Sequence, residues 1–302
     1  MKQISANASP LPRLAISGST LEASVLGRID EVPTARPAAY VTGVFWSFIE
    51  LLYDTLRAFD FDSLEGQEAA TRKRALLSNV ELLMHRCSSM NDYLGKLMYA
   101  ALPAEGKKNK SAYSVKKRLD YRIERLCKVP INLVKHEGFQ LCWLEMRQGL
   151  IATHGYCVTG PVGGQQCASV KYRPSDAGSP EGYSFALILR DLLLAMFDMT
   201  DIAEAALADA GLFDAEVNPG KLTDARQAHL EQMLTLLNGL PLKGFPDEHG
   251  VRVPIYWLKL GAMYVTTKPL QMLAGTFRIQ TELATVTPGM GYRLPYFRGG
   301  SG

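Results

Sequence analysis

The chain has 302 residues, 47% of them hydrophobic and 21% charged, and its formal net charge is +3. These values are typical of globular proteins and exclude a disordered, collagen-like or disulfide-scaffold protein. The five cysteines include no Cys-x-x-Cys pair and residues 1–7 lack the apolar part of a secretory signal, which favours reduced thiols in the cytoplasm. The longest apolar run, 184–197, is interrupted by Arg190 and Asp191 and is too short to span a bilayer, so no membrane association is expected.

The first half of the chain is predicted to be mainly helical. Residues 1–40 are rich in Ser, Ala and Pro and are interpreted as an N-terminal arm or a few short edge segments. Apolar residues at helical spacing then predict three helices, over 41–61, over 65–102 and from about Ala112 past Cys127.

Beyond His136 the apolar spacing changes from helical towards alternating. Two alternating segments flank Arg147-Gln148-Gly149 and predict a β-hairpin at about 139–158. Glycine, serine and proline residues over 161–180 predict a loop. Helical patterns follow at 184–210 and 223–240, and strand-like patterns at 251–260, 263–267 and 276–286.

This order of elements predicts an α+β fold rather than a doubly wound sheet, because helices and strands do not alternate. The expected architecture is a helical bundle core with a β-hairpin insertion and a C-terminal strand-rich segment. The corresponding division is an arm over 1–40, a helical domain over 41–240 and a β-rich segment over 241–302.

Positive charge is concentrated between Gly106 and Lys128. This stretch holds nine basic and two acidic residues, so it carries +7 while the rest of the chain carries −4. Tyr113 and Tyr121 are interleaved with the cations, as on surfaces that contact both phosphates and bases. Two other interpretations remain open: a solvated helix face, or a surface that complements the acidic residues of 191–217 within the chain or across a dimer.

The sequence Asn132-Leu133-Val134-Lys135-His136 follows the basic stretch. If the helix continues through Pro130, Asn132 and His136 lie one turn apart on one face, and Arg125, seven residues before Asn132, lies near the same line. An Arg, an Asn and a His at a helix end can engage a phosphate and exchange a proton. The alternative is structural: a histidine near the last carbonyls of a helix that ends at Gly138.

At Asn132-x-x-Lys135-His136, after the helices and before the strand pair, the chain resembles the HEPN superfamily, which includes many metal-independent RNA endonucleases. The resemblance implies a helical bundle, often dimeric, that cleaves RNA through its 2′-hydroxyl and leaves a cyclic phosphate. The family's Arg is missing, because positions five to seven before His136 are Ile131, Pro130 and Val129. Arg125 or Arg190 would have to supply its charge, which for Arg190 means a position in the cleft near His136. The alternative for Arg190 is structural, an ion pair between helices or a helix edge that reaches solvent. Arg147 and His154 have the family spacing but straddle a predicted turn, so that match is interpreted as accidental.

The resulting hypothesis is an RNA-binding HEPN-like protein, acting as a metal-independent endoribonuclease or an effector in antiphage defence. In catalysis His136 would transfer the proton, Asn132 would position the phosphate or the 2′-hydroxyl, and Arg125 and Lys135 would supply charge. The predicted nucleic-acid-binding residues are Lys107, Lys108, Lys110, Lys116, Lys117, Arg118, Tyr121, Arg122, Lys128 and Lys135.

The alternatives are a non-catalytic HEPN-like subunit or scaffold, and a purely structural assembly protein. A homo-oligomer or a place in a larger complex is expected. No cofactor or metal is expected, because the sequence lacks a His-Glu-x-x-His motif, a zinc ribbon and a nucleophile elbow.

Overall fold

The computed structural model describes most of the chain between its two ends. The described residues are 7–10, 14, 37–58, 66–102, 109–162, 165–169, 182–212, 222–245, 248, 250–259, 262–272, 276–280, 285–286 and 296–297. Within these ranges the protein combines helices and small sheets, as predicted for an α+β fold in the broad sense.

Six α-helices run through the described part of the chain, and all the predicted helical segments are confirmed. They are α1 (Pro37–Ala58), α2 (Gly66–Ala101), α3 (Lys110–Ile123), α4 (Val129–Glu137), α5 (Phe185–Asp209) and α6 (Asp224–Gly239). Residues Glu124–Lys128 between α3 and α4 form a π-helical segment, so the chain is helical without a break from Lys110 to Glu137. None of the helices in the described ranges is long and apolar enough to cross a membrane.

The described strands form three sheets. In chain order the strands are β1 (Asn7–Pro10), β2 (Gln140–Gln148), β3 (Ile151–Val162), β4 (Gln165–Ser169), β5 (Tyr183–Ser184), β6 (Lys243–Gly244), β7 (Arg252–Lys259), β8 (Ala262–Pro269), β9 (Gln271–Met272), β10 (Thr276–Gln280), β11 (Thr285–Val286) and β12 (Tyr296–Phe297). The largest sheet has the order β11-β10-β2-β3-β4-β12, with β5 paired to β3. The other two have the orders β1-β8-β7 and β6-β9.

The predicted hairpin is confirmed as β2 and β3. They pair antiparallel from Gln140 opposite Thr159 to Gln148 opposite Ile151, and Gly149 in the turn has a φ of +61°. The predicted loop over 161–180 is wrong in part, because β3 runs to Val162 and β4 pairs with it antiparallel. The sequence of β4, Gln-Gln-Cys-Ala-Ser, lacks the alternation of apolar side chains that identifies a strand.

Strands near the two ends of the chain pair with strands far away in sequence. β1 pairs antiparallel with β8, and β10 pairs antiparallel with β2 of the central hairpin. β1 therefore lies at a sheet edge, as the interpretation of residues 1–40 allowed. The strand-rich C-terminal segment contributes to the same sheet as the hairpin.

Helix α5 is the centre of the hydrophobic core and is buried on nearly all sides, including Leu189, Leu193 and Met196. It packs against α2, α3 and β7. Residues 185–197 of α5 are apolar on most sides, as a buried helix must be, and four of the five acidic residues of the helix follow them.

Arg190 of α5 is fully buried. It lies neither in an ion pair or at a solvent-reaching helix edge, as one interpretation predicted, nor in a cleft near His136, as the other predicted. Its guanidinium donates to the carbonyl oxygens of Ala186 (2.7 Å), Leu237 (2.6 Å) and Leu240 (3.4 Å), and within the described part of the chain it forms no ion pair. The last two carbonyls belong to the end of α6, which needs donors because its final turn leaves carbonyls unbonded. Arg190 therefore joins α5 to α6 and cannot stand in for the missing family Arg.

Candidate nucleic-acid interface

Helix α3 is amphipathic, and its apolar side decides which of its basic residues face outward. Ala112, Val115, Leu119 and Ile123 are buried against the core at three- and four-residue spacing. The helix begins after Asn109, whose side chain accepts a hydrogen bond from the backbone N–H of Ala112 at 2.9 Å. This cap and this apolar side fix the rotation of the helix.

The opposite side of α3 presents alternating lysines and tyrosines to solvent. We call Lys110, Tyr113, Lys117 and Tyr121 the α3 row, because their spacing of three and four residues places them along one face. The side chains of Tyr113 and Tyr121 are 64% and 83% exposed, and eight residues of helix separate them by about 12 Å. Arg118 is exposed beside the row. Within the described residues, none of these five side chains has a hydrogen bond or an ion pair.

Two other predicted binding residues, Lys116 and Lys128, instead bind Asp120 within the same helical stretch. Lys116 Nζ lies 2.6 Å from Asp120 Oδ1, and Lys128 also donates to that oxygen. Burial raises the pKa of Asp120, but the hydrogen bonds from Lys116, Lys128 and Asn91 outweigh it and bring the pKa to about 2. Lys116 also lies 3.9 Å from Asp92 Oδ1 of α2, so both lysines are paired with carboxylates of the same chain.

Arg122 joins α3, which carries much of the basic stretch, to α5, which carries several of the acidic residues of 191–217. Its Nε donates to Asp198 Oδ2 of α5 at 2.6 Å. The interpretation that residues 191–217 complement the basic stretch is confirmed at this contact, and the contact lies within one chain. The positive charge of the segment is thus divided between an inner set of paired residues and the outward-facing α3 row.

The π-helical segment changes the geometry expected around Arg125. It replaces i→i+4 hydrogen bonds by i→i+5, as if one residue were inserted. Pro130, two residues after its end, has no N–H to donate to such a bond. One inserted residue rotates the following helix by roughly 100°. The alignment of Arg125 with Asn132 holds only for an uninterrupted α-helix, so the π segment removes it. The side chain of Arg125 lies outside the described residues, as do Lys107 and Lys108.

Asn132, Lys135 and His136 are all exposed on α4. Asn132 and His136 are one turn apart, as the sequence predicts for a helix that continues through Pro130. The end of α4 is closed by its backbone: Gly138, with a φ of +70°, donates its N–H to the carbonyl of Leu133. Among the described residues His136 has no hydrogen-bond partner, so it is available to solvent.

A second group of charged side chains, which sequence reasoning missed, lies on the hairpin. Glu145 of β2 is almost fully buried, and its oxygens lie 2.5 Å from Arg147 Nε, 3.5 Å from His154 Nδ1 and 4.0 Å from Lys73 Nζ. Lys73 comes from α2, and its ammonium also lies 5.3 Å from the ring centroid of Trp143. We call Lys73, Glu145, Arg147 and His154 the hairpin cluster.

The hairpin cluster contains Arg147 and His154, the pair whose HEPN-like spacing was interpreted as accidental. The turn that separates them in sequence is what brings them to the same carboxylate, since Glu145 is directly opposite His154 in the register. Alternation alone places Trp143, Glu145 and Arg147 on one side of β2. A two-residue turn at Gly149 and Leu150 would then have predicted the Glu145–His154 pair, but no local signal points to Lys73.

The environment of the cluster shifts two pKa values downwards. Burial lowers the pKa of His154 from 6.5 to about 4; Glu145 opposes this shift, while Lys73, Arg147 and Lys243 add to it. Burial raises the pKa of Glu145, but the hydrogen bond from Arg147 and the surrounding positive charges outweigh it, so the pKa lies below 4.5. His154 is therefore neutral and Glu145 ionised at pH 7.

Among the described residues, no group of three or more His, Cys, Asp or Glu side chains is placed to hold a metal ion. Comparison of the chain with protein-family models, with curated proteins and with solved structures gave no match. Inference about function therefore starts from the geometry and charge of the exposed surface.

Proposed function

We propose that this protein binds single-stranded RNA through the α3 row, and that the exposed end of α4 extends the same binding surface. The observation that carries the proposal is the row itself: two tyrosine rings that lie largely in solvent alternate with two lysines that have no acidic partner among the described residues. Ammonium groups attract phosphates, and exposed aromatic rings stack on unpaired bases. The faces of paired bases are hidden inside a duplex, so the tyrosines favour a single strand.

RNA cleavage is a second candidate function, supported by Asn132 and His136 on one exposed face of α4 and by the HEPN resemblance. An exposed histidine beside bound RNA can remove the proton from a 2′-hydroxyl while the amide of Asn132 orients the phosphate. Arg190 is buried against helix-end carbonyls, and the π-helical segment interrupts the α-helix that would align Arg125 with Asn132, which favours the non-catalytic alternative, a HEPN-like subunit or scaffold. A role in antiphage defence, as a homo-oligomer or part of a larger complex, is proposed from the resemblance. A cytoplasmic location is proposed from the cysteine pattern.

RNA binding is tested with a fluorescently labelled oligouridine titrated with the full chain. Changing Tyr113 or Tyr121 to Leu is expected to raise the Kd about tenfold, because stacking of one base contributes roughly 1–3 kcal/mol. Tyr121→Phe keeps the ring and should bind like the wild type. The proposal fails if oligouridine does not bind, or if the leucine and phenylalanine variants behave alike.

Cleavage is tested separately, with cellular RNA in EDTA and the wild type compared with His136→Ala at equal folded fraction. Products with 2′,3′-cyclic phosphate ends from the wild type alone would support the endoribonuclease. Binding without cleavage by either protein would support the non-catalytic subunit. Equal cleavage by both would remove His136 from the mechanism.

A further inference from the structure

A pocket of about 310 Å³ lies between the N-terminal half of α2, the start of β2 and α4. Its α2 wall repeats at helical spacing, with Ala70, Lys73, Arg74, Leu77, Ser78 and Glu81 facing the opening. The opposite wall is Val134 of α4 and residues 140–143 of β2. No residue of the α3 row lines it, and its volume is in the range of small-molecule sites. The pocket is therefore a site separate from the proposed RNA surface.

The pocket presents hydrogen-bond donors above an apolar wall. Leu77, Val134 and Leu141 supply aliphatic surface, while Lys73 and Arg74 supply adjacent positive charges. Glu81, the acid in the lining, lies 3.7 Å from His85 Nε2 outside the pocket. A ligand that carries negative charge on one end and an apolar group on the other matches this division.

Trp143 strengthens the case for an oxyanion. The residue is 2% exposed, and its buried indole Nε1 donates to no acceptor among the described residues. An indole N–H is a donor only, and buried donors in folded proteins are normally bonded. Trp143 is part of the pocket lining, which makes an oxygen atom of a bound ligand a candidate acceptor for that hydrogen bond.

Lys73 is held where it can reach the same oxyanion. Its side chain is only 13% exposed, and its ammonium is fixed between Glu145 Oε2, at 4.0 Å, and the face of Trp143, at 5.3 Å. A cation held in this way loses little freedom when an anion arrives. Arg74 lies at the exposed rim of the pocket, where its guanidinium can close over the oxyanion.

We propose that this pocket binds a small phosphate monoester, with Lys73, Arg74 and the indole N–H of Trp143 contacting the phosphate and the aliphatic wall contacting the organic group. A phosphate monoester fits these contacts better than a carboxylate does, because its three terminal oxygens can accept from Lys73, Arg74 and the indole N–H at the same time. The proposal does not depend on RNA binding by the α3 row.

The test is calorimetric titration of the full chain with phenyl phosphate, inorganic phosphate and phenol. Phenyl phosphate is expected to bind saturably and about tenfold more tightly than either of its two parts, because the site recognises both. Arg74→Gln should raise its Kd about tenfold. Arg72→Gln, an exposed change on the same helix outside the lining, should leave the Kd unchanged.

Trp143→Phe provides the second variant, since it keeps an aromatic side chain and removes the donor. With its thermal transition shown to be intact, it should also weaken phenyl phosphate about tenfold. The proposal is overturned by the absence of saturable binding, by phenol binding as tightly as phenyl phosphate, or by inorganic phosphate doing so. Equal effects of Arg72→Gln and Arg74→Gln would overturn it as well, since they would show unspecific charge attraction.

Discussion

At the scale of single residues, burial keeps His154 neutral inside the hairpin cluster, and this makes unfolding sensitive to acid. The pKa of His154 is about 4 in the folded protein, against 6.5 for an unperturbed histidine. Between these two values the unfolded chain binds a proton that the folded chain does not, so stability is lost as the pH falls from 6.5 towards 4. The loss approaches about 3 kcal/mol, and Glu145, whose pKa is also lowered, adds to it below pH 4.5.

We therefore expect the free energy of unfolding to fall by about 2 kcal/mol between pH 7 and pH 5 through His154 alone. Urea titrations at the two pH values measure it. His154→Gln should lose less than half as much over this interval, because glutamine does not titrate. His136→Gln is the control, since that histidine is exposed on α4, and it should keep the full dependence. An unchanged pH dependence in His154→Gln would show that the cluster does not control acid stability.

The hairpin cluster also shows which residue contacts can be predicted from sequence. Glu145 and His154 could have been paired from strand alternation and the length of one turn, because both depend on neighbouring residues. Lys73 lies on a helix about 70 residues earlier in the sequence, and its approach depends on how α2 packs over the sheet. Such a contact is decided by tertiary packing, for which the local pattern carries no signal.

At the scale of elements, Arg190 determines how α5 and α6 are joined. Its guanidinium donates to the carbonyls of Leu237 and Leu240. The hydroxyl of Tyr256 on β7 donates to the backbone carbonyl of Arg190 at 3.3 Å. The sequence suggested an ion pair, since buried charges usually meet an opposite charge. The carbonyls at a helix end are equally good acceptors, but they have no signature in the sequence.

Arg190→Met is expected to destabilise the protein by about 3 kcal/mol, because the carbonyl of Leu240 would lose its guanidinium donor and that of Leu237 would keep only the 3.3 Å bond from the Leu240 N–H. The free energy of unfolding in urea measures this. Arg86→Met, at an exposed position on α2, should change it by less than about 0.5 kcal/mol. A loss under about 1 kcal/mol in Arg190→Met would mean that water or a rearranged donor replaces the guanidinium.

At the scale of the whole molecule, the fold divides one stretch of positive charge into two sets. The sequence shows nine cations between residues 106 and 128 but cannot show where they point. Packing of α3 against α2 and α5 turns Arg122 towards Asp198, and Asp120 binds Lys116 and Lys128. Lys110 and Lys117 remain on the solvent side.

The salt dependence of RNA binding tests this division. Each lysine that contacts a phosphate contributes about 0.7 to the slope of log Kd against log salt concentration on a single strand. Lys117→Gln should lower the slope by about that amount, whereas Lys116→Gln, at the neighbouring position, should leave it unchanged. Equal reductions by both variants would contradict the separation of the two sets.

The helices and the hairpin could be read from the sequence because each depends on periodicity within one segment. The pairing of β1 with β8 and of β10 with β2 could not be predicted. The paired strands are far apart in sequence, and no local pattern specifies which strand edge pairs with which. The candidate site was predicted in composition, with its lysines and tyrosines. Which of these residues face solvent and which are paired with acids could be decided only from the way α3 packs against α2 and α5.

The π-helical segment Glu124–Lys128 has a further consequence, because it sets the helical phase between the two parts of the surface. The α3 row lies before it, and Asn132 and His136 lie after it. Deleting one residue from the segment and restoring regular α-helix would turn one part against the other by roughly 100° without altering a side chain in either. The direction in which His136 points is thus set by the number of residues in the segment before it, and it can be changed without changing the side chain of His136.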